Sequence, residues 1–170
     1  MLLTLLQNAG ASPVPTQPVE DALWPIILAS LIITLLCGLL HFEALQIMAK
    51  YLHHSTMSAR RTILLTMVGL VILHLVEITI FACGYALLYT TFGESVGSLQ
   101  GETNISPTDL LYFSFVVFTT VGFGDIVPVG PLRILAGVEA LVGLMLITWS
   151  ASFTFLIMQD KWRRLYSEQS

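Results

Sequence analysis

Three long apolar stretches limit what this chain can fold into. They cover residues 24–48, 61–91 and 131–158, and each reaches the length of about 20 residues that a helix needs to cross the hydrocarbon of a bilayer. The composition agrees, because 55% of the residues are hydrophobic and only 11% are charged, whereas soluble domains carry roughly a quarter charged residues. We therefore expect an all-α membrane protein with three transmembrane helices.

A fourth apolar segment, residues 107–118, is too short to cross. Ser106 is a typical N-cap, Pro107 suits the first helical position, and Asp109 stands three residues after the cap, so the three predict where a helix begins. A helix of this length rises only about 18 Å, against a hydrocarbon core of about 30 Å. We expect the chain to enter the membrane here and to return on the same side.

The basic residues predict the orientation of the chain. Six of the seven Lys and Arg residues lie either between residues 50 and 61 or after residue 158. Three spans and one re-entrant segment bring these two regions to the same side, which the positive-inside rule makes cytoplasmic. The N-terminus is then expected outside and the C-terminus in the cytoplasm.

The stretch TTVGFGD, residues 119–125, follows the short helix. Non-helical backbone at membrane depth is tolerated only where protein buries it or where it lines a water-filled cavity. Gly122 and Gly124 can adopt backbone angles closed to other residues, which lets consecutive carbonyls point one way. Such a ladder of oxygens suits a dehydrated cation, and Asp125 would raise the cation concentration at its outer mouth.

This stretch resembles the selectivity filter of the potassium channel family, and the resemblance covers roughly residues 62–158. It implies a homotetramer with a single pore on the four-fold axis. The permeant K⁺ would be coordinated by carbonyl oxygens, as in the tyrosine version of the filter, and by one hydroxyl. The carbonyls would be those of Thr120, Val121, Gly122 and Phe123, and the hydroxyl that of Thr120.

The resemblance also implies residues that support the filter. Gly124 would close the outer turn, and Tyr112 would donate a hydrogen bond to Asp125, thirteen residues later. Phe123 stands where a tyrosine is commoner, and Val117 stands where many relatives have a threonine. These two departures bear on the rigidity of the filter more than on its selectivity.

Polar residues inside the spans each have two interpretations. Glu139 either supports the filter from behind, through a group on the pore helix, or is a packed neutral acid with local hydrogen bonds. His74 and Glu77 lie one turn apart in the second span. They form a candidate pH-sensitive pair, because histidine titrates near neutrality.

The last span carries a stripe with helical spacing and one notable glycine. The stripe is a candidate lining for the cavity or gate, although its two hydroxyl residues could equally bond their own backbone. Its members are Met145, Thr148, Ser152 and Leu156. Gly143 resembles the hinge glycine of the family, and close helix packing explains it equally well.

The expected organisation has four parts. They are an extracellular or periplasmic lead-in (1–23), an extra transmembrane helix with a cytoplasmic loop (24–60), a pore domain (61–158) and a short cytoplasmic tail (159–170). The pore domain is divided into outer helix (61–91), turret (92–106), pore helix (107–118), filter (119–125) and inner helix (131–158).

The predicted function is passive, potassium-selective conduction by a homotetramer in a membrane, most simply a bacterial inner or plasma membrane. We expect no catalysed reaction, no nucleic-acid partner and no soluble ligand-binding domain; the partners are other copies of the chain and lipids. Two alternatives stay open at this point. One is a weakly selective Na⁺/K⁺ channel, and the other is a non-conducting membrane subunit that retains a pore segment.

Overall fold

Four helices make up most of the fold. The computed structural model describes residues 17–53, 57–101 and 105–167. The helices are α1 (Gln17–His53), α2 (Ala59–Phe92), α3 (Pro107–Phe118) and α4 (Leu132–Ser167). A 3-10 turn (Gly93–Val96) and the strands β1 (Ser98–Gln100) and β2 (Val127–Val129) lie between them. The rest of the predicted lead-in (1–16), cytoplasmic loop (54–56), turret (102–104) and tail (168–170) lies outside the described residues.

Three of these helices are long and apolar enough to cross a membrane. The candidate spans are Leu23–Leu52, Ala59–Val96 and Leu132–Arg163. α3 is apolar but has only 12 residues, which is too few to cross. The protein is therefore an all-α membrane protein with three spanning helices, and this prediction is confirmed.

Two helices extend beyond their predicted limits. α1 begins at Gln17 and continues through Pro25, so residues 17–23, which were predicted as part of the lead-in, are helical. Pro18 is compatible with the first turn of a helix, whereas Pro25 lies inside α1, where it removes one backbone donor without ending the helix. α4 continues past the predicted end at Met158 to Ser167, because no glycine or proline interrupts that sequence. The described part of the predicted tail is thus helical.

The start of α3 is fixed by reciprocal hydrogen bonds. The Ser106 hydroxyl accepts from the backbone N–H of Asp109 at 3.3 Å, and the Ser106 N–H donates to the Asp109 carboxylate at 2.8 Å. These hydrogen bonds hold the pKa of Asp109 below its usual value, since they stabilise the charged form. The predicted capping at Ser106 is confirmed, and it sets where the chain turns into the short helix.

A small antiparallel sheet ties the two ends of the re-entrant region together. β1 pairs with β2 so that Leu99 lies opposite Pro128. These strands were not predicted from the sequence, because each has only three residues. Next to the sheet, a Cβ atom at Gly101 would meet the carbonyl oxygen of Asp125. The loop before α3 therefore packs closely against the end of the TTVGFGD stretch.

The buried core holds α3 between α2 and α4. Phe118, the last residue of α3, is fully buried and contacts Phe81 of α2, with ring centroids 6.3 Å apart. Phe113 of α3 meets Tyr85 of α2 edge-on at 5.2 Å. Leu135 of α4 completes this cluster. The C-terminal end of α3, from which residues 119–125 emerge, is thus anchored by aromatic packing.

Candidate functional site

The backbone of residues 119–125 alternates in handedness. Thr120, Gly122 and Gly124 have φ angles of 58°, 61° and 80°, while Val121 and Phe123 do not have positive φ. Alternation of this kind places successive N–H groups on one side of the chain, so that the carbonyls lie on the other. A positive φ at a β-branched residue such as Thr120 is strained, and strain of this kind clusters at functional sites.

The N–H side of this segment faces α3. Val121 and Gly122 both donate to the carbonyl of Val116, at 3.1 and 3.3 Å, and Thr120 donates to the carbonyl of Val117 at 2.9 Å. In the part of the chain that the structure describes, the carbonyls from Thr120 to Gly124 accept no hydrogen bond. Backbone carbonyls need a partner, so this face is available to bind one.

The same segment is uncovered within a single chain. The side chains of Val121 and Phe123 are 55% and 70% exposed. A Cβ atom at Gly122 or at Gly124 would meet no atom within 4 Å. Within one chain, this side of the segment therefore has no packing neighbours among the described residues.

A hydrogen-bonded carboxylate lies at the C-terminal end of the segment. The Tyr112 hydroxyl donates to Asp125 Oδ2 at 2.7 Å, which is the pair that the family resemblance implies. The Ile126 N–H donates to the other oxygen at 3.0 Å. The Tyr112 hydrogen bond holds the pKa of Asp125 below its usual value, because it stabilises the carboxylate. Asp125 therefore keeps its negative charge in mildly acidic conditions.

Glu139 of α4 lies behind α3 and connects it to α2. Its carboxyl group contacts the Ser114 hydroxyl on α3 and accepts a hydrogen bond from the Tyr85 hydroxyl on α2 at 2.6 Å. All three side chains are buried. Ser114 is also within hydrogen-bonding distance of the Ile78 carbonyl, at 2.8 Å. Glu139 therefore contacts the short helix itself, whereas its partner Tyr85 was not foreseen from the sequence.

The stripe on α4 is exposed along its whole length. Met145, Thr148, Ser152 and Leu156 are all exposed in the single chain. Thr148 donates to the carbonyl of Leu144 at 2.7 Å, and Ser152 donates to that of Thr148 at 3.0 Å. The two hydroxyls bond carbonyls of their own helix and also lie on an exposed face. A role in lining a cavity and a local hydrogen bond are therefore compatible.

Gly143 serves close packing of helices. A Cβ atom at this position would meet the carbonyl oxygen of Phe118, at the end of α3. In contrast, a Cβ atom at Gly137 on the same helix would meet nothing within 4 Å. This contact favours the packing interpretation of Gly143 over the hinge.

His74 and Glu77 belong to a larger cluster than the sequence indicated. His74 Nδ1 lies 2.8 Å from Glu77 Oε2, and His41 Nδ1 of α1 lies 2.8 Å from Glu77 Oε1. Ser150 of α4 contacts both rings. His41 could have been noticed in the sequence, because it is a histidine inside an apolar stretch. Its partners could not be identified, because the sequence does not say which helix faces meet.

The fold and this segment define a membrane protein in which a short helix and a carbonyl-bearing loop lie between two spanning helices. A family profile described as "Ion channel" matches residues 71–160, just over half of the chain. The chain therefore belongs to this ion channel family.

The curated relative with a significant match is a bacterial membrane protein. The chain is 32% identical over 82 residues to the uncharacterized membrane protein YdjJ of Bacillus subtilis (strain 168). The aligned region makes up 48% of this chain and 24% of the relative, so the chain spans about a quarter of that protein's length. No solved structure matches the chain significantly.

Proposed function

We propose that the protein is a potassium-selective channel in which four copies of residues 119–125 surround one pore. The observation that carries this proposal is the alternating backbone from Thr120 to Gly124, whose carbonyls accept no hydrogen bond among the described residues. A cation that leaves water must regain oxygen ligands, and rings of backbone carbonyls provide them. Membership of the ion channel family supports ion conduction, the more general part of this proposal.

The proposed homotetramer follows because one chain cannot provide carbonyls on all sides of an ion. A single segment offers carbonyls on one side only, so it cannot enclose an ion. Closed rotational symmetry completes each ring with identical copies, and the exposed side chains of Val121 and Phe123 supply apolar surface for the contacts between copies. With four copies, the carbonyls of Thr120, Val121, Gly122 and Phe123 and the hydroxyl of Thr120 form the K⁺ sites.

Several groups around the segment favour a cation. The C-terminal end of α3, at Phe118, carries the partial negative charge of the helix dipole and leads into the segment. Asp125 stays ionised beside Tyr112 and attracts cations to the outer mouth. On the inner side, the exposed stripe of α4 contributes the Thr148 and Ser152 positions to a cavity. Selectivity for K⁺ over Na⁺ rests on the resemblance of TTVGFGD to the potassium channel filter.

The orientation in the membrane rests on charge. The basic residues from Lys50 to Arg61 and those near the end of α4 lie on the cytoplasmic side. The loop that carries Asp125 then faces the exterior of the cell. Glu139 supports the pore from behind through Ser114, so that the carbonyl segment leaves α3 at a fixed position.

The test is K⁺ flux from liposomes that contain mixtures of the parent chain and Gly122→Asp. Gly122 needs a positive φ, and an aspartate there would add a charged side chain within the ring of carbonyls. We expect barium-sensitive K⁺ flux from the parent and none from Gly122→Asp alone. Because one defective copy blocks a ring of four, an equal mixture should retain about one-sixteenth of the flux.

The mixture also separates a defect in the pore from a defect in folding. A variant that fails to assemble would lower the flux in proportion to its share, to about half. Gly137→Ala, which has no neighbour within 4 Å, is the matched control and should leave the flux of any mixture unchanged. Unaltered flux from Gly122→Asp would contradict the assignment of the filter, and no flux from the parent would favour a non-conducting subunit.

A further inference from the structure

A closed ring of hydrogen bonds joins α1, α2 and α4 inside the membrane span. His41 and His74 direct Nδ1 to opposite oxygens of Glu77, each at 2.8 Å. On the far side of both imidazoles, Ser150 Oγ lies 3.4 Å from His41 Nε2 and 3.1 Å from His74 Nε2. His41 and Glu77 are fully buried, and Ser150 is nearly so. The four side chains therefore have one another as partners.

Each of the four contacts in this ring needs one proton. When Glu77 is ionised, its carboxylate only accepts, so both Nδ1 atoms carry a proton to bond it. The Ser150 hydroxyl has one proton to donate, which satisfies the Nε2 of one histidine. The remaining contact then requires an N–H on the other Nε2, donated to the Ser150 oxygen. With an ionised Glu77, one histidine is therefore an imidazolium and the other is neutral.

This arrangement is also electrically balanced. One imidazolium and one carboxylate sum to zero, and buried charges in a membrane are tolerated when they are paired. Loss of the proton leaves a net negative charge and breaks a contact at Ser150. A second proton leaves a net positive charge and two N–H donors at one hydroxyl. A divalent cation bound by His41, His74 and Glu77 would likewise leave a net positive charge, so a proton fits this site better than a metal does.

In the part of the chain that the structure describes, the groups around the ring are a thiol, a hydrogen-bonded carboxyl group and two aromatic rings. Cys37 of α1 is a buried free thiol, and electrostatic interactions join it to both Glu77 and Glu139. Glu139 of α4 already has Tyr85 and Ser114 as partners. α3 contributes the ring of Phe118 against His74, with centroids 5.9 Å apart. On α4, Trp149 packs against His41 at 5.3 Å.

We propose that His41, His74, Glu77 and Ser150 form a proton-binding site, in which one excess proton is shared between the two histidines. The two rings are stacked with centroids 5.6 Å apart, and Ser150 provides the route for exchange between them. The proton-bound site attaches α1, the helix that precedes the region matched by the channel profile, to α2 and α4. This role is independent of whether the protein conducts ions.

The test is a pH titration of the whole chain in lipid nanodiscs by ¹⁵N NMR of labelled histidine. Substitution of His53 and His54 by glutamine leaves two labelled rings in the chain. We expect the nitrogen signals of His41 and His74 to change together at one pH, each by about half of a full imidazolium shift. Full and separate titrations of the two rings would overturn the proposal. So would the absence of any titration between about pH 4 and about pH 9.

Two serine variants and one metal titration complete the test. Ser150→Ala removes the route between the rings, and we expect their signals to change at two separate pH values. Ser152→Ala is the matched control, because Ser152 is exposed and bonds the carbonyl of Thr148; it should preserve the shared titration. A shared titration that survived Ser150→Ala would overturn the proposal. Stoichiometric Zn²⁺ that displaced the histidine protons would also overturn it, in favour of a metal site.

Discussion

The carbonyl segment from Thr120 to Gly124 differs from the two buried clusters, around Glu77 and around Glu139, in whether its polar groups have partners within one chain. Inside the spans, Glu77 and Glu139 each find two partners within the same chain, and three of these four partners lie on another helix. Along the segment, the carbonyls find none within the described residues, and the neighbouring side chains are exposed. Within one chain, the carboxyl groups of both clusters have hydrogen-bond partners, and the carbonyls of the segment have none among the described residues.

Under the proposed function, this difference separates the parts that one chain can complete by itself from the part that needs other copies. Unsatisfied polar groups inside a membrane are costly, so a cluster that closes on itself can form before any second copy arrives. In our proposal, the carbonyl segment gains its partners only from ions and from other copies. The clusters therefore belong to the scaffold, and in our proposal the segment belongs to the pore.

The largest expected effect comes from the contact that links the scaffold to the segment. Gly143→Ala places a methyl group against the carbonyl of Phe118, and overpacking of this kind costs about 1–3 kcal/mol. The end of α3 must then move, so we expect reduced stability together with reduced K⁺ flux. Unfolding in detergent and liposome flux, measured on the same preparation, check both.

The matched variant for this prediction is Gly137→Ala, six residues earlier on α4. A Cβ atom there has no neighbour within 4 Å, so we expect no loss of stability, and a gain of up to about 1 kcal/mol from helix propensity. Equal losses in the two variants would contradict the packing role of Gly143.

A smaller effect is expected inside the cluster of Glu139. Tyr85→Phe removes the hydroxyl that donates to Glu139. Hydrogen bonds between membrane helices contribute about 1 kcal/mol, so we expect a loss of this size in the free energy of unfolding. The control is Tyr89→Phe, which alters an exposed tyrosine one turn away on α2. If both variants lost the same stability, the Tyr85 hydroxyl would not be a structural partner of Glu139.

The smallest effect concerns the outer end of the segment and depends on pH. Tyr112→Phe removes the main cause of the lowered pKa of Asp125, so this pKa should rise towards its ordinary value of about 3.9. A carboxylate whose pKa is lower in the folded state stabilises the fold above the unfolded pKa, and this contribution is lost as the pH falls through the folded pKa. In the variant, Asp125 should therefore titrate at a higher pH than in the parent, and its stabilising contribution above the unfolded pKa should be smaller.

Carboxyl ¹³C NMR measures this shift directly. Asp109 is an internal reference, because its lowered pKa comes from Ser106 and not from Tyr112. We expect the Asp125 signal to titrate at higher pH in the variant and the Asp109 signal to stay unchanged. An unchanged Asp125 titration would show that the Tyr112 hydrogen bond does not control this carboxylate.

Much of the fold was predictable from local sequence. The uncharged stretches predicted the spans, and Ser106, Pro107 and Asp109 predicted the start of α3, because these signals act over one or two helical turns. The start of α1 and the end of α4 were misjudged, since Pro18 lies in the first turn of α1, Pro25 does not end that helix, and no glycine or proline follows Met158. β1 and β2 were missed because strands of three residues leave no periodic pattern.

The clusters behind the segment were only partly predictable. His74 and Glu77 share one helix face, so their spacing was informative. His41 and Ser150 come from other helices, and their approach to Glu77 depends on how α1, α2 and α4 pack. For the same reason Tyr85 was not recognised as a partner of Glu139. The Tyr112–Asp125 contact came from a family resemblance and not from spacing.

The central claim is that the carbonyl segment forms a K⁺-selective pore. The most direct measurement is the reversal potential of the reconstituted protein with K⁺ on one side of a bilayer and an equal concentration of Na⁺ on the other. We expect a current that reverses at a large potential, of the sign that opposes K⁺ flow. A reversal potential at zero would show that Na⁺ and K⁺ pass equally and would contradict the account.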